Sequence, residues 1–237
     1  MAETQRDNEY YTPKEIWASI AKYLPKNKVG LEPFTAGDKR IGSLSYFKEI
    51  GLNVKGGTGD FFDHPLTGID YVVSNPPYSS EKGASTRDYT QNIKYRIMKR
   101  LIDKNIPFML LVPVITLNTA FSKELFLKNG KADPHLQIID PLGKIPFYKI
   151  TEDGKMNFKK QPFTVTAFIC WKMNLPKDLI LYTIPRINRK VRYVVSKKIK
   201  IKKRPLIESL KADLRIPTIT ITDYDEEQKL KRTTKKK

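Results

Sequence analysis

The chain has 237 residues, with 44 Lys and Arg against 25 Asp and Glu, and a formal net charge of +19. Its 40% of hydrophobic residues is enough for a folded core, which excludes a globally disordered chain. A single cysteine, Cys170, excludes an intrachain disulfide framework, and with only two histidines the composition predicts no metal site. No apolar run approaches the roughly 20 residues that span a bilayer, and a signal peptide's apolar core is missing. We therefore expect an intracellular protein without a membrane partner.

The charge is concentrated in the last quarter of the chain. Residues 1–183 carry a net charge of +7, whereas residues 184–237 hold 18 basic and 6 acidic side chains, a net charge of +12. We predict a domain over 1–183 and a basic nucleic-acid-binding segment over 184–237, whose last residues, 229–237, are disordered. Counterion release would give this segment salt-sensitive affinity for a polyanion, although a solvated tail or a nuclear-localisation cluster has a similar composition.

Within this segment, Lys and Ile alternate over residues 198–202. As a strand, that stretch would present one apolar face and one ammonium face, which suits a phosphate backbone. The predicted nucleic-acid-binding residues are Lys198, Lys200, Lys202, Lys203 and Arg204.

In chain order, the first predicted element is a helix over 13–24. Pro13 suits the first turn of a helix, and Thr12 with Glu15 fits a capping box, with Thr12 as the N-cap. The apolar face of this helix consists of Ile16, Ile20 and Leu24.

Strands and helices then alternate. Strands are predicted at 28–31, 52–55, 69–73, 107–112, 136–139 and 164–172, and helices at 41–50, 92–104 and 119–128. The nearly continuous apolar runs 69–73 and 107–112 indicate strands that are buried on both faces. The alternation predicts a doubly wound, Rossmann-like α/β domain. A hairpin of strands 146–149 and 163–172 around a polar insert, 151–161, is also expected.

Ligands of such sheets bind at the carboxyl ends of the strands, where two segments stand out. Residues 32–38 follow the first strand, and Asn75-Pro76-Pro77-Tyr78 follows the strand that ends at Val73. Two prolines make this tetrapeptide rigid. The Asn75 side-chain oxygen and the Pro76 carbonyl could accept both hydrogens of an exocyclic amino group, while the Tyr78 ring could stack on a base. A tight turn without chemistry is the alternative.

Four segments follow one another along the first 80 residues: Tyr10–Pro13, Glu32–Gly37, Gly59–Phe62 and Asn75–Tyr78. Their order and spacing resemble those of S-adenosylmethionine-dependent amino-methyltransferases, in particular adenine-specific (N6) DNA methyltransferases in which the cofactor motifs come first. The resemblance covers residues 9–173. It implies a methyltransferase sheet of the Rossmann-like class and S-adenosylmethionine as the cofactor.

The resemblance also implies roles for individual residues. In the family, the Tyr-Thr-Pro element contacts the methionine part of the cofactor, the acidic loop surrounds its amino group, and the Asp-Phe-Phe element flanks the adenine. Carried over by position, the cofactor-binding residues are Tyr11, Thr12, Glu32, Thr35, Gly37, Asp60 and Phe61, and the catalytic motif is Asn75, Pro76, Pro77 and Tyr78. Taken singly, the segments also have ordinary structural explanations. Residues 11–13 could simply start a helix, Glu32 could be a strand-end carboxylate, Asp60 could cap a turn, and Phe61 or Phe62 could belong to the core.

The chain departs from the family at two places. Gly37 is followed by Asp38 and Lys39, where the commonest form has a second glycine. The family also usually ends its second strand with an acid that binds the ribose, whereas residues 53–58, at and after the end of the strand predicted over 52–55, contain no acid before Asp60. Either Asp60 binds the ribose, or cofactor affinity is low, or the chain is a nonenzymatic subunit.

The implied reaction is methyl transfer to the amino group of adenine in DNA, on a flipped-out or single-stranded base. Residues 79–88 would form a mobile loop beside the pocket. The alternatives are an RNA adenine methyltransferase, a protein glutamine methyltransferase, because those acting on release factors share Asn-Pro-Pro-Tyr, or a noncatalytic nucleic-acid-binding subunit. The basic segment and the early Tyr-Thr-Pro element favour DNA. A short recognition region also leaves room for a partner subunit.

Overall fold

The computed structural model of the protein describes residues 10–34, 42–57, 59–78, 88–150, 156–157 and 165–187. The described residues fall into two compact units. The first contains the residues up to Tyr148 and those of 165–187, and the second is represented by a small hairpin. In that hairpin, Lys149–Ile150 pairs antiparallel with Met156–Asn157. The predicted boundary at 183/184 lies in the described part of the first unit, and most of the basic segment lies outside the described residues.

The α-helices of the first unit are α1 (Lys14–Ile20), α2 (Ser43–Glu49), α3 (Ile93–Asp103) and α4 (Ala120–Phe126). Short 3-10 helices span Ala21–Tyr23, Tyr89–Gln91 and Val114–Asn118. The apolar side chains predicted for one face of the first helix, Ile16, Ile20 and Leu24, are all buried. The α-helical part ends at Ile20 and the 3-10 turn completes the predicted range.

The strands, in chain order, are β1 (Gly30–Glu32), β2 (Val54–Gly56), β3 (Tyr71–Ser74), β4 (Phe108–Pro113), β5 (Leu127–Lys128), β6 (Lys131–Ala132), β7 (Leu136–Asp140), β8 (Lys149–Ile150), β9 (Met156–Asn157), β10 (Thr166–Trp171) and β11 (Leu179–Leu181). Seven of them form one sheet in the order β11-β7-β10-β4-β3-β1-β2. The neighbours β2, β1, β3 and β4 are parallel, and so are β7 and β11. Only β10 runs antiparallel to its neighbours in this sheet. The predicted Rossmann-like α/β class is compatible with this mostly parallel sheet.

Two hydrophobic clusters cover the two faces of the sheet. Val73 belongs to one cluster with α1 and α2, whereas the adjacent Val72 belongs to the other with α3 and α4. Successive side chains of a strand point to opposite faces, so the helices pack on both sides. The apolar runs of β3 and β4 are fully buried, as the sequence predicted. Cys170 is buried in β10, where burial raises the pKa of its thiol, and it is a core residue.

Two sequence predictions about local structure were wrong. Thr12 does not cap α1: Pro13 occupies the N-cap position, and no side chain caps this end. The Thr12 hydroxyl is instead buried beside the pocket described below. The expected hairpin of 146–149 with 163–172 does not form, because β10 pairs with β4 and β7. All six residues of β10 are buried, and a central position in the sheet provides that burial.

None of the helices in the described ranges is both long and apolar enough to cross a membrane.

Candidate functional site

The order of the strands reverses direction at β1. The chain passes from β1 to β2 on one side and then returns to β3 on the other side of β1. In open α/β sheets, such a switch point leaves a crevice at the carboxyl ends of the two strands, which is where ligands bind. Here these ends are Glu32 in β1 and Ser74 in β3.

Glu32 is a charged residue at this crevice and is only 1% exposed. Its carboxylate accepts hydrogen bonds from the Ser43 hydroxyl at 2.6 Å, from the backbone N–H of Phe34 at 3.2 Å, and from the Ser74 hydroxyl. Ser74 precedes the Asn-Pro-Pro-Tyr tetrapeptide directly, and Ser43 begins α2. The carboxylate therefore ties together the ends of β1 and β3 and the start of α2.

Burial raises the pKa of the Glu32 carboxyl to about 7, although its three hydrogen bonds act in the opposite direction. Removing the carboxyl from water penalises the charged form more than these donors stabilise it. At neutral pH, the Glu32 carboxyl is therefore present in both its charged and its neutral form. A ligand cation would favour the charged form and would pair with it.

Asn75 follows Ser74 at the same edge of the sheet. Its side-chain oxygen is buried, lacks a hydrogen-bond partner within the described ranges, and belongs to a residue that lines the pocket. Buried polar atoms are almost always satisfied, so this oxygen is available to accept a hydrogen bond from a ligand or a water in the pocket. Pro76, the next residue, is buried, and Pro77 is half-buried.

The end of the tetrapeptide is held by its neighbours. The Lys94 ammonium donates to the Tyr78 carbonyl at 2.6 Å, and the Tyr78 ring meets Phe147 edge to face at 6.5 Å. The ring is half-buried. Burial raises the pKa of the Tyr78 phenol well above its ordinary range, so the hydroxyl stays protonated and cannot serve as a base.

The segment Phe147–Tyr148, after β7, contacts both the Tyr-Thr-Pro element and Tyr78. Tyr11 and Tyr148 exchange two backbone hydrogen bonds, of 2.8 and 3.1 Å, and their rings stack at 5.6 Å. Phe147, the contact of Tyr78, precedes Tyr148. The same short segment therefore holds both predicted elements, and Thr12 lies next to Tyr11 with its hydroxyl buried and unpartnered in the described structure.

The pocket contains about 280 Å³ of empty space, counting the solvent at its mouth. Four parts of the chain line it: residues 10–12 with Trp17, the end of β1 at Glu32 and Phe34, the start of α2 at 42–43, and Asn75. Three of the four segments that carried the resemblance are thus brought together. The structure places Tyr11, Thr12, Glu32 and Asn75 in a single wall of polar and aromatic groups.

The fourth segment, Gly59–Phe62, contacts the pocket-lining residue Phe34 but does not itself line the pocket. Phe61 is buried in the core and packs on Phe34 at 5.2 Å, so it supports the pocket wall. Asp60 is exposed, and its carboxylate accepts the backbone N–H of Phe62 at 2.9 Å within its own turn. Neither residue lines the pocket as described. Arg100 of α3 holds this turn by donating to the carbonyls of Phe61 and His64.

Several predicted residues lie outside the described part of the structure: Thr35, Gly37, the 79–87 part of the predicted loop, and the five basic residues between 198 and 204. Conversely, the sequence analysis assigned no role in the site to Trp17, Ser43, Ser74 or the Phe147–Tyr148 segment. Ser74 had a usable signal, since it stands between a buried strand and the tetrapeptide. Trp17, Ser43 and the Phe147–Tyr148 segment join the site through contacts between residues far apart in the sequence, which the local pattern does not predict.

Comparison with known proteins adds no relative: no model of a protein family matches the chain, and no curated protein matches it significantly. The function is therefore inferred from the chemistry of the site.

Proposed function

We propose that the protein is an S-adenosylmethionine-dependent methyltransferase that modifies the exocyclic amino group of adenine in DNA. The observation that carries this proposal is the buried side-chain oxygen of Asn75, which has no hydrogen-bond partner among the residues that the structure describes. It lies in the same pocket wall as the Glu32 carboxyl, at the switch point of a doubly wound sheet. The resemblance of four ordered segments to the family supplies the identity of the cofactor.

The residues present fit the proposed cofactor. Glu32 offers a buried carboxyl for the ammonium group, and Phe34, with Phe61 behind it, offers an apolar wall. The Thr12 hydroxyl is a further unpartnered polar group in this wall. When bound, the cofactor would supply an electrophilic methyl group on a sulfonium.

The role of the tetrapeptide is to position the amine. The Asn75 oxygen and the Pro76 carbonyl would accept its two hydrogens, leaving the nitrogen lone pair free to face the methyl group. These acceptors would also stabilise the positive charge that develops on nitrogen, and the methylated nitrogen would then release one of its two original hydrogens as a proton to water. The Lys94 contact to the Tyr78 carbonyl keeps this end of the motif in place. Neither the Tyr78 phenol nor the Cys170 thiol would be a base or nucleophile, since burial raises the pKa of both.

A duplex adenine would have to leave the stack to reach Tyr78, so we expect base flipping or a single-stranded substrate. The basic segment with Lys198 to Arg204 would bind the phosphates, and a nucleic-acid substrate would place the enzyme inside a cell. A partner subunit could complete sequence recognition.

The test is to incubate the full chain with methyl-labelled S-adenosylmethionine and, separately, with duplex DNA, single-stranded DNA, RNA and a release factor. We expect label in DNA, at the adenine amino nitrogen after digestion to nucleosides. Label in RNA alone would support the RNA alternative, and label in the release factor the glutamine alternative. Cofactor binding without any transfer would favour a noncatalytic subunit and contradict the proposal.

A further inference from the structure

The pocket wall contains a hydrogen-bond donor that the proposed roles do not use. Trp17, in α1, is 1% exposed and lines the pocket. Its indole Nε1–H is buried and has no acceptor among the residues that the structure describes. An indole nitrogen can only donate, and buried donors are rarely left unpaired.

The indole is fixed in place by the core. Its ring meets Phe47 edge to face at 5.2 Å and Phe168 at 5.8 Å. These two aromatic contacts favour the observed orientation of the ring, in which the N–H has no acceptor within the described ranges. The second tryptophan of the chain shows the usual outcome, since Trp171 donates its Nε1–H to buried Asp133 at 3.3 Å.

Two other groups of the same wall define what Trp17 would bind. The Thr12 hydroxyl is a second buried donor without a partner in the described part of the chain, and the Glu32 carboxyl accepts. A pair of neutral donors and a carboxyl in one small pocket match the two charged groups of an α-amino acid: its carboxylate and its ammonium.

We propose that Trp17 Nε1–H, with the Thr12 hydroxyl, binds the α-carboxylate of the ligand whose ammonium group pairs with Glu32. This rests on the proposed function and extends it, because the amino-acid end of S-adenosylmethionine is such a group. Trp17 is thereby a binding residue that selects for a ligand carboxylate. Two hydrogen bonds to a charged acceptor should favour S-adenosylmethionine over its decarboxylated analogue by roughly 10- to 100-fold.

The chain contains two tryptophans, so the indole N–H groups can be observed separately. The full chain, labelled with ¹⁵N at the indole nitrogens, is titrated with S-adenosylmethionine and with its decarboxylated analogue, and the two N–H resonances are followed by NMR. Trp17→Phe or Trp171→Phe assigns them, and either variant suffices. We expect S-adenosylmethionine to move the Trp17 proton downfield, the analogue to leave it nearly unchanged, and the Trp171 resonance to stay fixed in both titrations.

Binding constants of Trp17→Phe give a second measurement. In the variant, we expect the ratio of the affinity for S-adenosylmethionine to that for the decarboxylated analogue to fall about tenfold, with little change in the affinity for the analogue itself. S-adenosylmethionine binding with an unmoved Trp17 resonance, or an unchanged preference in Trp17→Phe, would overturn this inference and leave the proposed function standing. If S-adenosylmethionine does not bind the wild-type chain, the proposed cofactor and the inference both fail.

Discussion

At the scale of single residues, the buried Glu32 carboxyl makes the stability of the ligand-free protein depend on pH. Its pKa rises from 4.5 to about 7 on burial. Between these values the folded protein holds a proton that the unfolded chain has released, so the free energy of unfolding falls as pH rises through this range. One pKa unit corresponds to about 1.4 kcal/mol, which gives a loss of about 3 kcal/mol at pH 8 relative to pH 4.

We predict that Glu32→Gln stabilises the ligand-free protein at pH 8 by up to about 3 kcal/mol, because a neutral amide avoids the cost of a buried charge. The difference should disappear near pH 4, where the wild-type carboxyl is protonated in both states. Denaturant unfolding at several pH values measures it. Glu49→Gln, at an exposed position of α2, is the matched control and should change the free energy of unfolding by less than about 0.5 kcal/mol. A Glu32→Gln chain that is equally destabilised at all pH values would contradict the assigned pKa.

Some residues of the site could be predicted from the sequence and others could not. Glu32 and Asn75 follow buried strands directly, so their position at the carboxyl edge follows from the pattern alone. Thr12 was predicted both as the N-cap of α1 and as a cofactor-binding residue; it does not cap the helix, but it does line the pocket, and its buried hydroxyl has no partner among the described residues. Trp17 was read simply as part of a helix, because whether an indole N–H finds an acceptor depends on residues far away in the chain.

At the scale of elements, Gly57, directly after β2, lies against the backbone that follows β1. A Cβ atom on Gly57 would lie 2.7 Å from the Cα and carbonyl oxygen of Pro33, which follows Glu32. The Gly57 backbone N–H also donates to the Glu32 carbonyl at 2.9 Å. The absence of a side chain at Gly57 therefore leaves room for the backbone of Pro33, directly after Glu32.

We expect Gly57→Ala to lower the free energy of unfolding by about 1–3 kcal/mol, because the backbone of Pro33 would have to shift. Cofactor affinity should fall as well, since Glu32 moves with Pro33. Lys55→Ala, at an exposed position of β2, is the control and should change stability by less than about 0.5 kcal/mol. Denaturant unfolding and calorimetric titration measure the two effects. Wild-type stability and affinity in Gly57→Ala would show that the close approach does not position the site.

The sequence predicted the larger elements well because their apolar periodicity is local. The ranges predicted for α3 and β4 agree with the structure to within a residue or two. Strand pairing was harder, because β10 inserts between β4 and β7 instead of pairing with its neighbour in sequence. The strand β11 was not predicted: Leu179 and Leu181 are exposed at the sheet edge, so it lacks the apolar run of a buried strand.

At the scale of the whole molecule, the charge divides between a weakly basic folded domain and a strongly basic C-terminal segment. Ile184 and Ile187 still pack against the core cluster that contains α1 and α2. We therefore expect a truncation after Ile187 to preserve the packing of these residues. It removes 17 Lys and Arg with 6 Asp and Glu.

We predict that this truncation weakens DNA binding and flattens the dependence of log affinity on log salt, because fewer counterions are released. Fluorescence anisotropy with a labelled duplex at several salt concentrations measures both. A full-length chain in which Lys198, Lys200, Lys202, Lys203 and Arg204 are replaced by Gln separates charge from chain length and should lose part of the same slope. Unchanged affinity and salt dependence in both chains would indicate that the segment is a solvated tail that does not bind DNA.

The central claim is that the Asn75 oxygen accepts the amine that is methylated. The most direct measurement is the rate of label transfer from S-adenosylmethionine to DNA by Asn75→Ala under saturating conditions, with cofactor affinity determined alongside. We predict a loss of at least about 100-fold in rate, with cofactor affinity within about threefold of wild type. Asn53→Ala, at an exposed position ahead of β2, should match the wild-type rate. A rate for Asn75→Ala within about threefold of wild type would contradict the account.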